Sequence, residues 1–349
     1  EFTLQIAAKI GGFLVTLSLA WLYRSYWALL AGMVTATAVR VALSYVLRPA
    51  RPSLTLASMN RLMNFSGWLM GGQLVTAVIG RAQFFLAGAY LPASSVGFLH
   101  VGSEIATMAT AETLAPIRRV LLPALAQKVD DPEDHYSAFG AAMEVIIGLA
   151  LPIGIGISLV ADQLVPLLLG GQWHGAIIVM QFVGIVGALA AVSSMGDTML
   201  VSTGRTRPLF NLEMMKLIYV LPGFWIGITL GGLKGVLIAW LVITLISLLV
   251  NLEVIRRHTG VNQWTLLAPC WRSPLAVGIM AITIGLVRSW LPASGGGLLP
   301  DLGGLLLTIV AGGAGYALTH LLLWQLAGKP QGFESRALEI GSSLRRMFG

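Results

Sequence analysis

The sequence predicts an all-α protein, a polytopic transmembrane helix bundle of about ten helices, and three observations support this fold class. The 349 residues are 56% hydrophobic and 11% charged, with a mean hydropathy of +0.82, a composition typical of integral membrane proteins. The apolar residues form ten stretches, most of them near the roughly 20 residues that a helix needs to cross a bilayer. The connectors alternate between rich and poor in Lys and Arg.

The ten stretches follow one another along the chain with connectors too short for a soluble domain. No stretch begins with the pattern of a cleavable signal peptide. In chain order they cover residues 4–21, 26–46, 65–90, 97–114, 139–159, 177–199, 209–230, 235–252, 275–290 and 303–326.

The cations in the connectors predict how the chain is oriented. Every second connector, together with the tail, is cation-rich, and the intervening connectors hold only Arg24, Lys234 and Arg288. Because short cationic loops stay in the cytoplasm, we expect both ends of the chain on the cytoplasmic face of the membrane. The cation-rich set comprises Arg48, Arg51, Arg61, Arg118, Arg119, Lys128, Arg205, Arg207, Arg256, Arg257, Arg272, Lys329, Arg336, Arg345 and Arg346.

The connector after the fourth stretch has two parts. Residues 116–127 combine a positive end with an apolar body, which predicts a short helix at the membrane interface. The acidic residues within 130–134 predict a solvated loop.

Proline and glycine mark two later stretches. The fifth contains Pro152 between apolar residues, with Gly154 and Gly156 behind it, and the seventh contains Pro222 followed by Gly223. Such interruptions are either packing kinks or hinges that line a cavity, and the sequence leaves both open.

Small residues and an apolar connector add two expectations. The spacing of Gly67 with Gly71, and of Gly223 with Gly227 and Gly231, favours close helix packing within the chain, with dimerisation as the alternative. The apolar outward connector 161–175 is expected to lie in the interface, anchored by Trp173.

Several functional classes are disfavoured. The net charge of +7 is explained by the loop cations, so we expect no nucleic-acid partner. The lone Cys270 excludes an internal disulfide, and the five histidines lack the spacing of metal ligands. We find no nucleophile elbow, phosphate-binding loop or Cys–His arrangement. The sequence therefore predicts a transporter without a cofactor or metal, not an enzyme.

Ionisable residues within the predicted helices are candidates for function, because such residues are costly in lipid and tend to mark substrate paths. Four of them, Arg40, Glu112, Glu144 and Asp197, lie near a cytoplasmic end and are expected to reach the interface. The full set is Lys9, Arg40, Arg81, Glu104, Glu112, Glu144, Asp197, Glu213 and Lys216.

Arg81 and Glu104 lie deepest. They are about nine and seven residues from the outer ends of their stretches, or ~13 Å and ~10 Å along a helix. We expect them to face each other, either as a closed structural pair or beside a cavity where Arg81 contacts an anionic substrate. Lys216 follows Glu213 by three residues, which predicts a local ion pair, with a role in substrate binding as the alternative.

Three motifs resemble one known family in their order and placement. They are Asn-Phe-Ser-Gly-Trp-Leu at 64–69, Val-Leu-Leu-Pro-Ala-Leu-Ala at 120–126 followed by Asp130 and Asp131, and Leu-Val-Pro-Leu-Leu-Leu-Gly-Gly-Gln-Trp at 164–173. The chain resembles the multidrug/oligosaccharidyl-lipid/polysaccharide flippase superfamily, and within it the Wzx-type lipopolysaccharide, O-antigen and exopolysaccharide exporters.

The resemblance implies a two-lobed MATE-like flippase fold that lacks about four N-terminal helices. Residues 1–64 would be a remnant of the first lobe, 65–258 the second lobe, 259–327 two additional helices and 328–349 a cytoplasmic tail. Related flippases hold cations in a central cavity for the pyrophosphate of an undecaprenyl-linked oligosaccharide. The resemblance implies this substrate-binding role for Arg81, and more weakly for Lys9, Arg40 and Lys216. Glu104, beside Arg81, would be part of the same site.

The implied function is translocation of a lipid-linked oligosaccharide across the inner membrane by alternating access. Membrane lipids and the polysaccharide polymerase or chain-length machinery would be partners. A cation-coupled multidrug antiporter is the nearest alternative, although it would be expected to keep deep carboxylates in both lobes. A membrane polymerase or ligase is the alternative from another class, although no outward connector here exceeds about twenty residues.

Single cysteines test the predicted orientation, because Cys270 is the chain's one thiol and can be replaced by serine. We expect a cysteine at Gln172, in an outward connector, to react with a membrane-impermeant maleimide on intact cells. A cysteine at Gln127, in a cation-rich connector, should react only after the cells are permeabilised. The reverse labelling pattern would contradict the orientation.

Overall fold

A computed structural model describes residues 2–23, 25, 27–47, 59–128, 132–259, 267–291 and 298–328, and all regular structure within these ranges is helical. The helices in chain order are α1 (Phe2–Tyr23), α2 (Trp27–Leu47), α3 (Met59–Tyr90), α4 (Ala93–Thr107), α5 (Thr113–Ala126), α6 (Pro132–Leu169), α7 (His174–Ser202), α8 (Thr206–Thr259), α9 (Arg272–Trp290) and α10 (Leu298–Leu326). The predicted all-α class is confirmed.

Each of the ten predicted stretches corresponds to a helical region of the structure. Eight helices in the described ranges are long and apolar enough to span a bilayer. One of them, α8, contains a reversal at Gly232, where φ is 55° and ψ is −134°, so it supplies two segments. The fourth predicted stretch corresponds to the shorter α4, which continues into α5 and is not among the eight.

The two halves of α8 form an antiparallel hairpin. Tyr219 and Ser247 hydroxyls lie 2.9 Å apart across it, and the Phe224 and Trp240 rings meet edge to face. A Cβ on Gly227 would lie 2.5 Å from the Gly235 carbonyl oxygen. The positive φ at Gly232 is a conformation that favours glycine, which explains why the chain turns there.

The chain divides into two compact units, residues 1–60 and 61–349. Unit 1 contains α1 and α2, packed as a hairpin through small residues. Ala8, Gly12, Ala28 and Gly32 are buried, and a Cβ on Gly12 would lie 2.8 Å from that of Ala36. Small residues four positions apart allow this close approach. The assignment of the units to the lobes of a larger fold stays a prediction.

Unit 2 is built around α7, which packs against α4, α6 and α8. We call the end at the α7–α8 turn, where Gly204 has a positive φ, the cation-rich end, and the end at Gly232 the cation-poor end. One hydrophobic cluster, around Met180 and Phe224, lies toward the cation-poor end. A second, around Met143 and Met195, lies toward the cation-rich end.

The helix predicted for residues 116–127 is present as α5, but no loop separates it from the fourth segment. A π-helical turn, Met108–Glu112, joins α4 directly to α5, so the proposed interfacial helix is a continuation of the fourth segment. The turn ends four residues before Pro116, which has no N–H for the carbonyl of Glu112. A π turn changes the hydrogen-bond register at this point and lets the helix continue.

Helices α6 and α8 continue through Pro152 and Pro222, so neither proline ends a helix, and the choice between a packing kink and a hinge stays a prediction. Transmembrane helices tolerate proline when neighbouring groups compensate for the lost hydrogen bond. Residues 161–169 belong to α6, and the connection to α7 consists of Gly170 and a 3-10 turn, Gly171–Trp173. Trp173 packs edge to face against Phe98, inside unit 2.

Two of the glycines predicted to allow close helix packing contact other helical segments of the same chain. Gly71 approaches the Phe210 ring, with 3.1 Å to an added Cβ, and Gly223 approaches Ile243 in the α8 hairpin. Gly67 and Gly231 have no neighbour within 4 Å.

The pair α9 and α10 packs on α6, and charged contacts hold both ends of α9. Arg272 lies 3.9 Å from the Glu144 carboxylate, and Arg288 pairs with Asp162 and donates to the Leu159 carbonyl at 3.1 Å. Glu144 and Asp162 are eighteen residues apart on α6, or ~27 Å. These contacts therefore bracket a segment about as long as the hydrocarbon core is thick.

Some sequence predictions fall outside the described residues. They concern Arg24, Arg48, Arg51, Asp130, Asp131 and the tail from 329 onward. Of the predicted acidic loop, residues 132–134 begin α6, where proline and acidic residues are favoured.

The close crossing of α6 and α7 provides a test of packing. A Cβ on Gly154 of α6 would lie 2.4 Å from the Gly184 carbonyl oxygen of α7, whereas the nearest atom to one on Gly156 is 4.0 Å away. We expect Gly154→Ala to lower the free energy of unfolding by about 1–3 kcal/mol. Gly156→Ala, the matched control, should be neutral or slightly stabilising. Equal effects in a denaturation assay in detergent would contradict this packing.

Candidate functional site

Arg81 lies on the exposed face of α3. Ala82, Gln83 and Ala87 on the opposite face are buried in the core of unit 2, while Phe85, four residues after Arg81, is 78% exposed. Arg81 is nine residues before the end of α3, ~13 Å from the cation-poor end. A guanidinium at this depth costs about 2.5–3.5 kcal/mol or more if it faces lipid, so the Arg81 head group requires a polar contact or water.

Glu104 lies on the exposed face of α4, whose other face packs against α7 through the close contact of Gly102 with Ala176 and Val179. Because α4 begins at Ala93, Glu104 is about eleven residues, or ~16 Å, from the cation-poor end, deeper than the sequence predicted. The carboxylate therefore lies near the middle of the hydrocarbon core.

The expected ion pair between Arg81 and Glu104 is not formed. Neither side chain has a salt-bridge partner among the residues that the structure describes. The two residues lie at similar depth on antiparallel helices. The Phe84 and His100 rings, each about one helical turn closer to the α3–α4 connection, are in contact. Of the two alternatives left by the sequence, the closed static pair is therefore excluded in this conformation.

A polar stripe that runs from α4 into the π turn was missed by the sequence analysis. His100, Glu104, Thr107 and Glu112 are all exposed and follow one another at intervals of about one turn. The widest interval, five residues between Thr107 and Glu112, crosses the π turn. Counting polar residues at spacings of three to five would have revealed the stripe. In the described ranges, no group of three or more His, Cys, Asp or Glu side chains could hold a metal ion.

The π turn gives this stripe its geometry at the cation-rich end. Thr110 is buried within the turn, its hydroxyl donates to the Ala106 carbonyl at 3.0 Å, and an added Cβ on Gly187 would lie 2.8 Å from that hydroxyl. Inside the bundle the turn thus packs tightly on α7. The extra residue of a π turn rotates the rest of the helix, which keeps Glu112 on the exposed face below Thr107.

Unit 1 presents two cations of its own. Lys9 and Arg40 are exposed, and each is seven residues from its helix end, ~10 Å deep. In the hairpin Gly11 approaches Val39 and Gly12 approaches Ala36, so Lys9 and Arg40 lie at the same level and on the same flank. Glu1 is the sole acidic residue within 1–60. Unit 1 therefore has no helical carboxylate to neutralise these cations.

Lys216 lies in a buried charged cluster. Its ammonium group is 2.6 Å from a Glu213 carboxylate oxygen and 3.3 Å from one of Asp197. The Thr76 hydroxyl of α3 donates to the other Glu213 oxygen at 3.1 Å. The predicted Glu213–Lys216 pair is confirmed, and the cluster joins α3, α7 and α8. The role of Lys216 in substrate binding stays a prediction.

Two residues expected to reach the interface instead bind other charges inside unit 2. Asp197 contacts Lys216, and Glu144 lies near Arg272, which is itself buried. Both partners are on helices distant in sequence, so no local spacing could indicate these contacts. Arg40 and Glu112 are exposed, as expected.

Comparison with known proteins identifies related sequences. A family described as "Polysaccharide biosynthesis protein" matches residues 1–178, which extend from α1 to the beginning of α7. The lipopolysaccharide biosynthesis protein WzxC of Escherichia coli (strain K12) is 25% identical over 252 residues, covering 71% of this chain and 51% of that protein.

Two further relatives have names that concern other polysaccharides. The teichuronic acid biosynthesis protein TuaB of Bacillus subtilis (strain 168) is 20% identical over 235 residues, or 66% of this chain and 48% of that protein. The succinoglycan biosynthesis transport protein ExoT of Rhizobium meliloti (strain 1021) is 25% identical over 171 residues, or 48% of this chain and 34% of that protein. The chain thus spans about half the length of the first two relatives.

The buried cluster yields a test of stability. We expect Lys216→Met to lower the free energy of unfolding by about 3–5 kcal/mol, because two carboxylates lose their partner inside the bundle. The double variant Glu213→Gln/Lys216→Met should recover part of this loss, since one unpaired carboxylate is then neutral. Arg256→Met, which breaks an exposed pair with Glu253, is the control and should leave stability unchanged. Equal losses in the single and double variants would show that the ionic contact is not the cause.

Proposed function

Because this chain belongs to the family of polysaccharide biosynthesis proteins, we propose that the full-length protein is an exporter that moves a lipid-linked oligosaccharide across the bacterial inner membrane. The carrier would be undecaprenyl pyrophosphate, and both ends of the present chain would be cytoplasmic. The names of the relatives concern biosynthesis and transport of lipopolysaccharide, teichuronic acid and succinoglycan, which supports a polysaccharide as cargo.

The observation that carries the proposal is Arg81, which is exposed in the membrane-spanning part of α3 and has no ion-pair partner among the described residues. An arginine that no carboxylate neutralises is suited to bind an anion transiently, and its planar guanidinium matches two phosphate oxygens. We assign Arg81 to the pyrophosphate of the substrate. Lys9 and Arg40, which share one flank of the unit 1 hairpin, offer the same chemistry.

The stripe on α4 and the π turn suits the sugar part of the substrate. His100, Glu104, Thr107 and Glu112 offer hydrogen-bond donors and acceptors to hydroxyl groups from mid-membrane to the cation-rich end. Two carboxylates would repel a phosphate, so the phosphate and the sugar would contact different helices. Transport would proceed by alternating access, in which the binding face opens to one side of the membrane at a time, without covalent chemistry.

A cation-coupled antiporter is the second candidate, and the exposed carboxylates of Glu104 and Glu112 favour it. These groups could bind a cationic substrate or coupling ion in place of sugar hydroxyls. Accumulation of cationic dyes in cells that lack other efflux pumps separates the two functions. An exporter of lipid-linked sugar would leave dye accumulation unchanged.

A series at Arg81 tests the proposed function in vesicles that contain the full-length protein and a fluorescent lipid-linked oligosaccharide. We expect Arg81→Gln to reduce the translocation rate by on the order of tenfold or more, since a charged hydrogen bond to phosphate is lost. Arg81→Lys should retain part of the rate, because it keeps the charge and loses the bidentate geometry.

Lys234→Gln, at the exposed tip of the α8 hairpin, is the matched control and should translocate at the unmodified rate. Thermal unfolding of each variant shows whether a slow variant is folded. A folded Arg81→Gln variant with full activity would remove Arg81 from the mechanism.

A further inference from the structure

The first half of α8 carries a groove that the proposed transport function does not use. It has a volume of about 620 Å³ and is lined by Asn211, Met214, Met215, Ile218, Leu221 and Pro222, among others. Ile218 is 75% exposed, so the protein leaves the groove open. Apart from Asn211 the named residues are apolar, and methionine side chains adapt readily to flexible apolar partners.

The groove has a cationic end. Arg207 precedes Asn211 by four residues and therefore lies on the same face of the helix, one turn nearer the cation-rich end. Arg205 lies two residues earlier, and both arginines are exposed. No Asp or Glu occurs between residues 198 and 212. The groove thus begins at a pair of positive charges and continues as an apolar surface.

The arginines are positioned without being neutralised. The Arg207 guanidinium carbon lies 5.5 Å from the centre of the Trp68 ring, and Trp68 packs against Phe210. A cation over an aromatic face keeps its charge and its N–H groups available at the ring's edge. In the part of the chain that the structure describes, neither Arg205 nor Arg207 has an ion-pair partner.

The length of the groove matches one leaflet. Asn211 and Pro222 are eleven residues apart, ~16 Å along the helix, and half of a hydrocarbon core measures about 15 Å. The two arginines would then lie at the level of the lipid headgroups. This arrangement complements a lipid with an apolar chain and a negatively charged headgroup.

We propose that this groove binds an anionic phospholipid, with one acyl chain along Met214 and Ile218 and its phosphate at Arg205 and Arg207. Clusters of basic side chains at the cytoplasmic ends of transmembrane helices recognise such headgroups. A zwitterionic lipid offers the same chains, but its own cation competes with the arginines. The site therefore selects lipids by headgroup charge, and it does so independently of the transported substrate.

Two lipids with identical acyl chains, phosphatidylglycerol and phosphatidylcholine, test the proposal. Binding to the purified full-length protein in detergent is measured by native mass spectrometry and by the shift in thermal unfolding midpoint. We expect phosphatidylglycerol to bind on the order of tenfold more tightly. Arg205→Gln/Arg207→Gln should abolish this preference.

The double variant Arg256→Gln/Arg257→Gln is the matched control. It removes two exposed arginines that lie at the same cation-rich end of the α8 hairpin but do not line the groove, and should keep the preference. Ile218→Trp fills the groove without changing charge and should weaken binding of both lipids. Because Ile218 is on the surface, this variant is expected to fold.

Three results would overturn the proposal. Equal affinity for the two lipids would exclude headgroup selection, and an equal loss in the control double variant would indicate nonspecific surface charge. Displacement of phosphatidylglycerol by a polyisoprenyl phosphate at lower concentration would assign the groove to the carrier lipid of the substrate instead. Transport by Arg81 variants is measured separately, so a negative result here leaves the proposed function intact.

Discussion

A charged side chain inside a membrane must meet an opposite charge, a polar partner or water, and the arrangement of this protein follows from that constraint. The structure sorts its intramembrane charges into two groups. Lys216, Glu213 and Asp197 satisfy one another inside unit 2, and Arg272 lies beside Glu144. Arg81, Glu104, Lys9 and Arg40 are exposed instead. The first group holds helices together. The side chains of the second group require polar contacts that the described residues do not supply, and in the proposed function a polar substrate supplies them.

Close packing between helices makes this division possible. At the crossing of α6 and α7, Gly154 and Gly184 bring the backbones so near that an added Cβ on either would overlap the other helix. The π turn packs against Gly187 in the same manner. Because its small residues face the neighbouring helix, each of these helices can present its longer polar side chains on its other faces. The stripe from His100 to Glu112 is the clearest result, because the opposite face of α4 is engaged with α7.

Sequence patterns predicted the helices well and their connections less well. Each of the ten apolar stretches lies in a helical region of the structure, since burial of apolar residues in lipid depends on composition over a whole span. Pro152 and Pro222 suggested interruptions, but neither proline ends its helix, and transmembrane helices tolerate proline. The chain reverses instead at Gly232, where a glycine among several others adopts a positive φ. The depth of Arg81 followed from simple counting, whereas the absence of an ion-pair partner for it among the described residues depends on how the helices are arranged around it.

The sequence by itself determined the fold class, the alternation of connectors and which charges enter the membrane, because these properties depend on residue type and local spacing. It also indicated the Glu213–Lys216 pair, whose members are one turn apart. Only the tertiary structure decided that Asp197 and Thr76 complete that cluster, that Arg81 and Glu104 stay apart, and that Arg207 stacks on Trp68. These contacts join helices that are distant along the chain. Their geometry depends on how the helices cross, which no single segment encodes.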